Sequence, residues 1–276
     1  MAALRHMGHL RRDVPGPDCN PLKPKSLRSK TKIMHLTSVI LDFGCVLSLA
    51  PSLEDFLPMS SEMGVDAERF QRSYWQFRDA YDVDEIDNAT YWEEVAHAAG
   101  INPTPEKIQR LSILDGQMWA RSNPVMVEWV RILRARGMKL GLLSNMPRAV
   151  AAYLRQNVPS FGVFDHLCIS GEIKTGKPGL AIYRACLEAL GVPPSEALFI
   201  DDREVNVSAG VAAGMHGIVF RSVEQLATDL EPFGLAESMW EALARTKCPT
   251  PKERPTPVLD EARRSPAGNP PSSSNF

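Results

Sequence analysis

Several classes of protein are excluded by what this 276-residue sequence lacks. It has five scattered cysteines, Cys19, Cys45, Cys168, Cys186 and Cys248, and no C-x-x-C pair. That pattern argues against a disulfide framework or a zinc site and fits a reducing compartment. No apolar run approaches the roughly 18 residues that span a bilayer, so no membrane partner is expected. The N-terminus is basic but has no apolar segment behind it. A secretory leader is therefore not expected, and the cytoplasm is the expected location. His6, His9, His35, His97, His166 and His216 show no metal-ligand spacing. Gly210 and Gly214 follow no glycine-rich strand–helix turn, so a dinucleotide fingerprint is missing too. Net charge is only -2, which argues against a nucleic-acid-coating protein. The charge is uneven, since residues 1–35 hold eight Lys and Arg against Asp13 and Asp18.

What is present is alternation. Residues 1–35, rich in Pro, Lys and Arg and without periodicity, read as a disordered basic tail. Met34, just before the first strand, would serve as a start codon. Residues 248–276, rich in Pro and Ser, read as a second disordered tail. Between them, Leu36–Phe43, Met138–Leu143, His166–Ile169, Ala197–Ile200 and Gly217–Phe220 read as short apolar strands. Helical spacing is expected over 66–82, 88–99, Pro105–Ala120, Pro124–Arg136, Arg148–Gln156, Leu180–Leu190 and Val205–Ala213, with Val223–Leu230 as the last helix. Asn88 or Thr90 is the expected cap of the second of these. Strands separated by helices predict an α/β fold with a doubly wound, parallel, Rossmann-like sheet. The helical stretch 53–122 breaks the alternation and reads as an inserted α-helical subdomain. The core is then 36–52 and 123–232. Tyr74, Trp75, Phe77, Tyr81, Tyr91, Trp92 and Trp119 concentrate aromatics in the insertion, chiefly as packing. Glu54, Asp55 and Arg78 are possible polar contacts there.

Four strand ends carry polar residues. Asp42 and Gly44 follow the first, and Ser144-Asn145 the second. A loop ending in Lys177-Pro178 follows the third, and Asp201-Asp202 the fourth, with Asn206 four residues on. Each has an ordinary structural explanation alone: a turn residue, a helix cap, a solvated lysine. Topology brings all four to one edge of the sheet. Two adjacent carboxylates behind an apolar strand repel unless a cation or proton relieves them. Lys174 is the alternative lysine, but the proline after Lys177 fixes the approach to the next helix.

These motifs, in this order, resemble the haloacid dehalogenase-like hydrolase superfamily, in the branch with a helical C1-type cap inserted after the first strand. The resemblance covers about residues 36–230. It implies that Asp42 is a nucleophile forming an aspartyl-phosphate. It implies a Mg²⁺ cofactor held by Asp42, the Gly44 carbonyl and Asp202. Asn206 would steady the metal site and Asp201 would support it. Ser144 and the Asn145 amide would bind the phosphoryl group, and Lys177 would neutralise charge. The implied reaction is hydrolysis of a small phosphorylated metabolite.

One position departs from the phosphatase pattern. The family places a second aspartate two residues after the first, to protonate the leaving alcohol. Here that position is Gly44, which cannot transfer protons. Three readings follow: a phosphatase acting without that acid, a catalytically weak binding protein, or a metal-free dehalogenase. Cys45, beside the nucleophile, is expected to be a buried, unreactive thiol because no cation adjoins it in sequence.

Overall fold

A computed structural model describes residues 34–247. Both expected tails, apart from Met34 and His35, lie outside the described residues.

Five parallel strands form one sheet: β1 (Ser38–Leu41), β2 (Lys139–Ser144), β3 (His166–Ile169), β4 (Ala197–Asp201) and β5 (His216–Val219). Their spatial order is β3-β2-β1-β4-β5. The sequence-predicted α/β architecture is observed. Both faces of the sheet are covered, so side chains of either parity are apolar. On β1, Val39 and Leu41 join the core under α6 (Pro124–Ala135), with Trp129, Val130 and Leu133. Ile40, between them, joins the opposite core with Ile182, Tyr183 and Cys186 of α9 (Leu180–Leu190). Successive strand residues point to opposite faces, and the two cores follow from that alternation.

The order reverses direction at β1. Strands two and three lie on one side of it, and four and five on the other. A crevice opens at the carboxyl ends of the two strands flanking such a switch point. Those strands are β1 and β4, paired in register with Leu41 opposite Ile200. The next residues are Asp42 and Asp201.

Between β1 and β2 the chain forms α1 (Leu57–Met63), α2 (Ala67–Gln76), α3 (Arg78–Asp82), α4 (Asn88–Ala98) and α5 (Pro105–Trp119). Asp87, not Asn88 or Thr90, caps α4, accepting from the Thr90 amide at 2.8 Å. The helix begins at Asn88, as its expected span does, so the cap is the residue before it. The block rests on α7 (Arg148–Asn157), where Gly116 allows close approach. A Cβ there would sit 2.4 Å from the Tyr153 ring. Asp84 also pairs with Arg148 at 3.2 Å and Lys174 at 3.5 Å.

A short α8 (Ser170–Ile173) follows β3, and the last core elements are α10 (Glu204–Ala212), α11 (Val223–Asp229) and α12 (Ala236–Lys247). The expected last helix, Val223–Leu230, is therefore followed by another. Met239, Ala242 and Leu243 form its buried stripe, with buried Leu235 just before it, and Ser238 Oγ accepts from Trp129 Nε1 at 2.8 Å. No helix among the described residues is long and apolar enough to cross a membrane.

Candidate active site

Asp42 sits where β1 gives way to a tight turn over Phe43–Leu47. Its amide donates to the Ile200 carbonyl at 2.9 Å, which continues the β1–β4 ladder by one residue. Its Oδ1 accepts from the Phe43 amide at 2.6 Å. The turn needs a left-handed residue, and Cys45 supplies it with φ of 57°. Gly44 has an ordinary extended conformation, φ -60° and ψ 130°. The glycine is therefore not what makes this turn.

Lys177 is the hub. Its Nζ lies 2.9 Å from Asp42 Oδ1 and 2.6 Å from Asp201 Oδ2, and donates to the Leu143 carbonyl at 2.9 Å. An ammonium has three protons, and all three are engaged. Burial opposes the charge on Lys177, but Asp42 and Asp201 outweigh it and its pKa is raised. Asn145 clasps the same residue: its Nδ2 donates to the Lys177 carbonyl at 2.9 Å and its Oδ1 accepts the Lys177 amide at 2.8 Å. The Asn145 side chain thus positions the lysine, a role that its place in the sequence does not reveal. Lys174, the alternative, is exposed and pairs with Asp84.

Asp201 is fully buried and held by donors, from the Arg203 amide at 2.8 Å and from Asn206 Nδ2 at 3.0 and 3.1 Å. Tyr183 fixes Asn206 by donating to its carbonyl at 2.8 Å. Ser144, at the end of β2, is buried. Asp202 is half-buried. All the sequence-predicted site residues therefore lie at one edge of the sheet, on β1, β2, β4 and the segments that follow them and β3.

Carboxylate oxygens of Asp42, Asp201 and Asp202 lie within 4.8 Å of one another. Against these three charges the cluster sets one lysine, which leaves about two negative charges unbalanced. Burial pushes the Asp42 carboxyl up to about 6, with Lys177 pulling it down and Asp201 and Asp202 adding to the rise. Burial, then Asp201, also raises Asp202. Asn206 Oδ1 is buried and has no partner among the described residues. An oxygen-only donor set with excess negative charge fits a hard divalent cation. Cys45 is pushed up to about 11, first by burial and then by the three aspartates, so its thiol stays protonated at neutral pH.

The helical block contributes one unexpected neighbour. A Cβ on Gly44 would stand 3.6 Å from Cζ3 and 3.9 Å from Cη2 of Trp119. The sequence marks Trp119 only as one aromatic among seven, and no local signal brings it to residue 44.

The model for haloacid dehalogenase-like hydrolases matches residues 36–214. The chain belongs to this family. The likeness extends to individual relatives. A flavin mononucleotide hydrolase of Arabidopsis thaliana is 38% identical over 72 residues, covering 26% of this chain and 28% of that enzyme. The chain spans about half or less of the length of the curated relatives it matches. An L-2-haloacid dehalogenase from Xanthobacter autotrophicus superposes with TM-score 0.55 at 20% identity, over 75% of this chain and 88% of that one. A HAD family enzyme from Bacteroides thetaiotaomicron, in complex with magnesium and inorganic phosphate, superposes with TM-score 0.52 at 20% identity, over 67% and 94%. At these identities the two structures speak to the fold alone.

Proposed function

We propose that this hydrolase is a Mg²⁺-dependent phosphatase of small phosphorylated metabolites, working through a phosphorylated Asp42. The observation that carries the reading is the cluster of three close carboxylates around one fully engaged lysine. Asp42, the Gly44 carbonyl and Asp202 would hold the cation, which would screen phosphate charge as the ester approaches. Lys177 keeps Asp42 aligned and lowers the cost of its charge. Asp42 attacks phosphorus and the ester oxygen departs with its electron pair. Ser144 Oγ and the Asn145 amide bind phosphoryl oxygens. Water then releases phosphate and restores Asp42. Asp201, anchored by Asn206 and Arg203, orients Lys177. The helical block acts as a cap that excludes water and selects the substrate. The expected location remains the cytoplasm.

Gly44 favours two rival readings, a metal-free dehalogenase and a silent ligand-binding relative. The dehalogenase reading leaves the excess negative charge of Asp202 without a purpose. Turnover of acetyl phosphate and p-nitrophenyl phosphate, with Mg²⁺ and with EDTA, separates all three. Metal-dependent phosphate release supports the proposal. Halide release from a 2-haloacid in EDTA would replace it with the dehalogenase. Saturable phosphate-ester binding with no turnover would leave a binding protein.

A further inference from the structure

Position 44 has lost its side chain, and an aromatic surface borders the space that side chain would take. The indole of Trp119 bounds it at 3.6 Å. Trp119 is 9% exposed, and Trp75 packs edge-on against it with ring centroids 6.3 Å apart. Trp75 is 45% exposed. An aromatic path thus runs from the nucleophile's turn to solvent. Nine large apolar side chains are exposed among the described residues, and four of them, Leu49, Leu53, Leu57 and Trp75, fall in this stretch of chain.

The charges beside this wall are already matched. Arg78, 5.9 Å from the Trp119 ring, is buried and pairs with Asp82 at 2.6 Å and Asp115 at 3.3 Å. Arg121 pairs with Asp55. Neither is left to bind a second anionic group on a substrate.

The chemistry at residue 44 points the same way. With no acid there, the departing oxygen must carry its electron pair unaided until solvent protonates it. A phenol, with a pKa of about 10, tolerates that far better than an aliphatic alcohol does.

We infer that the site is built for aryl phosphate monoesters, with Trp75 as a specificity-determining residue that stacks on the aromatic leaving group. This rests on the phosphatase reading. Asp42 forms a bond to phosphorus as the aryl C–O–P linkage breaks on its P–O side. The electron pair leaves with the aryl oxygen, which takes a proton from water. A second water cleaves the aspartyl-phosphate, giving inorganic phosphate and free Asp42.

The test measures kcat/KM with Mg²⁺ for 1-naphthyl phosphate, glycerol 1-phosphate and acetyl phosphate. Acetyl phosphate has a good leaving group but no apolar body. The expected order sets naphthyl phosphate well above the glycerol ester. Trp75→Ala lowers the naphthyl-to-acetyl ratio about tenfold, mainly through KM. Ile113→Ala, which removes an equally exposed apolar side chain on α5, keeps the ratio. If acetyl phosphate is hydrolysed but the ratio survives Trp75→Ala, the aryl inference is wrong and the phosphatase reading stands. If no ester is hydrolysed with Mg²⁺, the phosphatase reading falls and takes this inference with it.

Discussion

At the sheet edge three carboxylates share one ammonium; in the helical block two carboxylates share one guanidinium. Both clusters are buried, yet they differ in what completes them. In the block, Asp115 accepts from the Tyr74 hydroxyl at 2.7 Å, and that oxygen accepts from Trp119 Nε1 at 3.0 Å and from Arg78. Asp82 takes the Arg78 Nε at 2.6 Å. Neutral donors absorb the remaining charge and the network closes on itself. At the sheet edge no side-chain donor hydrogen-bonds Asp202 among the described residues, Asn206 Oδ1 has no partner there, and the crevice opens at a topological switch point. A buried ionic cluster thus signals chemistry when its charge is left uncompensated, and architecture when its own neighbours satisfy it.

The strongest way to break this comparison is to remove the proposed nucleophile. Asp42→Asn should cut turnover by about 10⁴-fold or more while the fold persists, measured by phosphate release and circular dichroism. Substantial remaining activity would move the chemistry elsewhere. Next is stability. Asp115→Ala should cost about 3 kcal/mol in urea unfolding, because it strands part of the buried Arg78 charge. Asp202→Asn in EDTA should leave stability unchanged or raised. The folded-state pKa of Asp202 is above its ordinary value, so its ionised form opposes folding at neutral pH. Equal losses for both variants would erase the distinction between the clusters.

Gly44→Asp sharpens the account of the missing acid. The φ of -60° accepts an aspartate and the Trp119 contact is ordinary. Turnover of alkyl phosphates should rise about 10²-fold, with little gain for aryl esters. An unchanged alkyl rate would show that proton transfer is not the limit. The smallest effect is on pH. Asp42, held at about 6, must lose a proton to take a cation. Mg²⁺ affinity should therefore weaken about tenfold per unit below pH about 6 and release a proton on binding there. Calorimetry in two buffers reads both, and a flat affinity across that range would contradict it.

The sheet edge was far more legible in sequence than the helical block. Val39-Ile40-Leu41-Asp42 is an apolar run closed by one carboxylate, and a buried parallel strand has to look like that. Asp201-Asp202 and Lys177 repeat the logic, and fold topology gathers them. The Arg78 network was not legible because Asp115 lies 37 residues away, beyond any local pattern. Trp119 over Gly44 was hidden for the same reason. Helix α12 was readable in its apolar spacing but sits beside a proline-rich tail that obscures it. The left-handed Cys45 was missed because the adjacent glycine is the expected occupant of that conformation.

Acid-quenched reaction with a phosphate ester, followed by peptide mass spectrometry, tests the central claim most directly. The account predicts a phosphate group on the Asp42 peptide, present with Mg²⁺ and gone with EDTA or in Asp42→Asn. Label on another residue, or label indifferent to Mg²⁺, would contradict it.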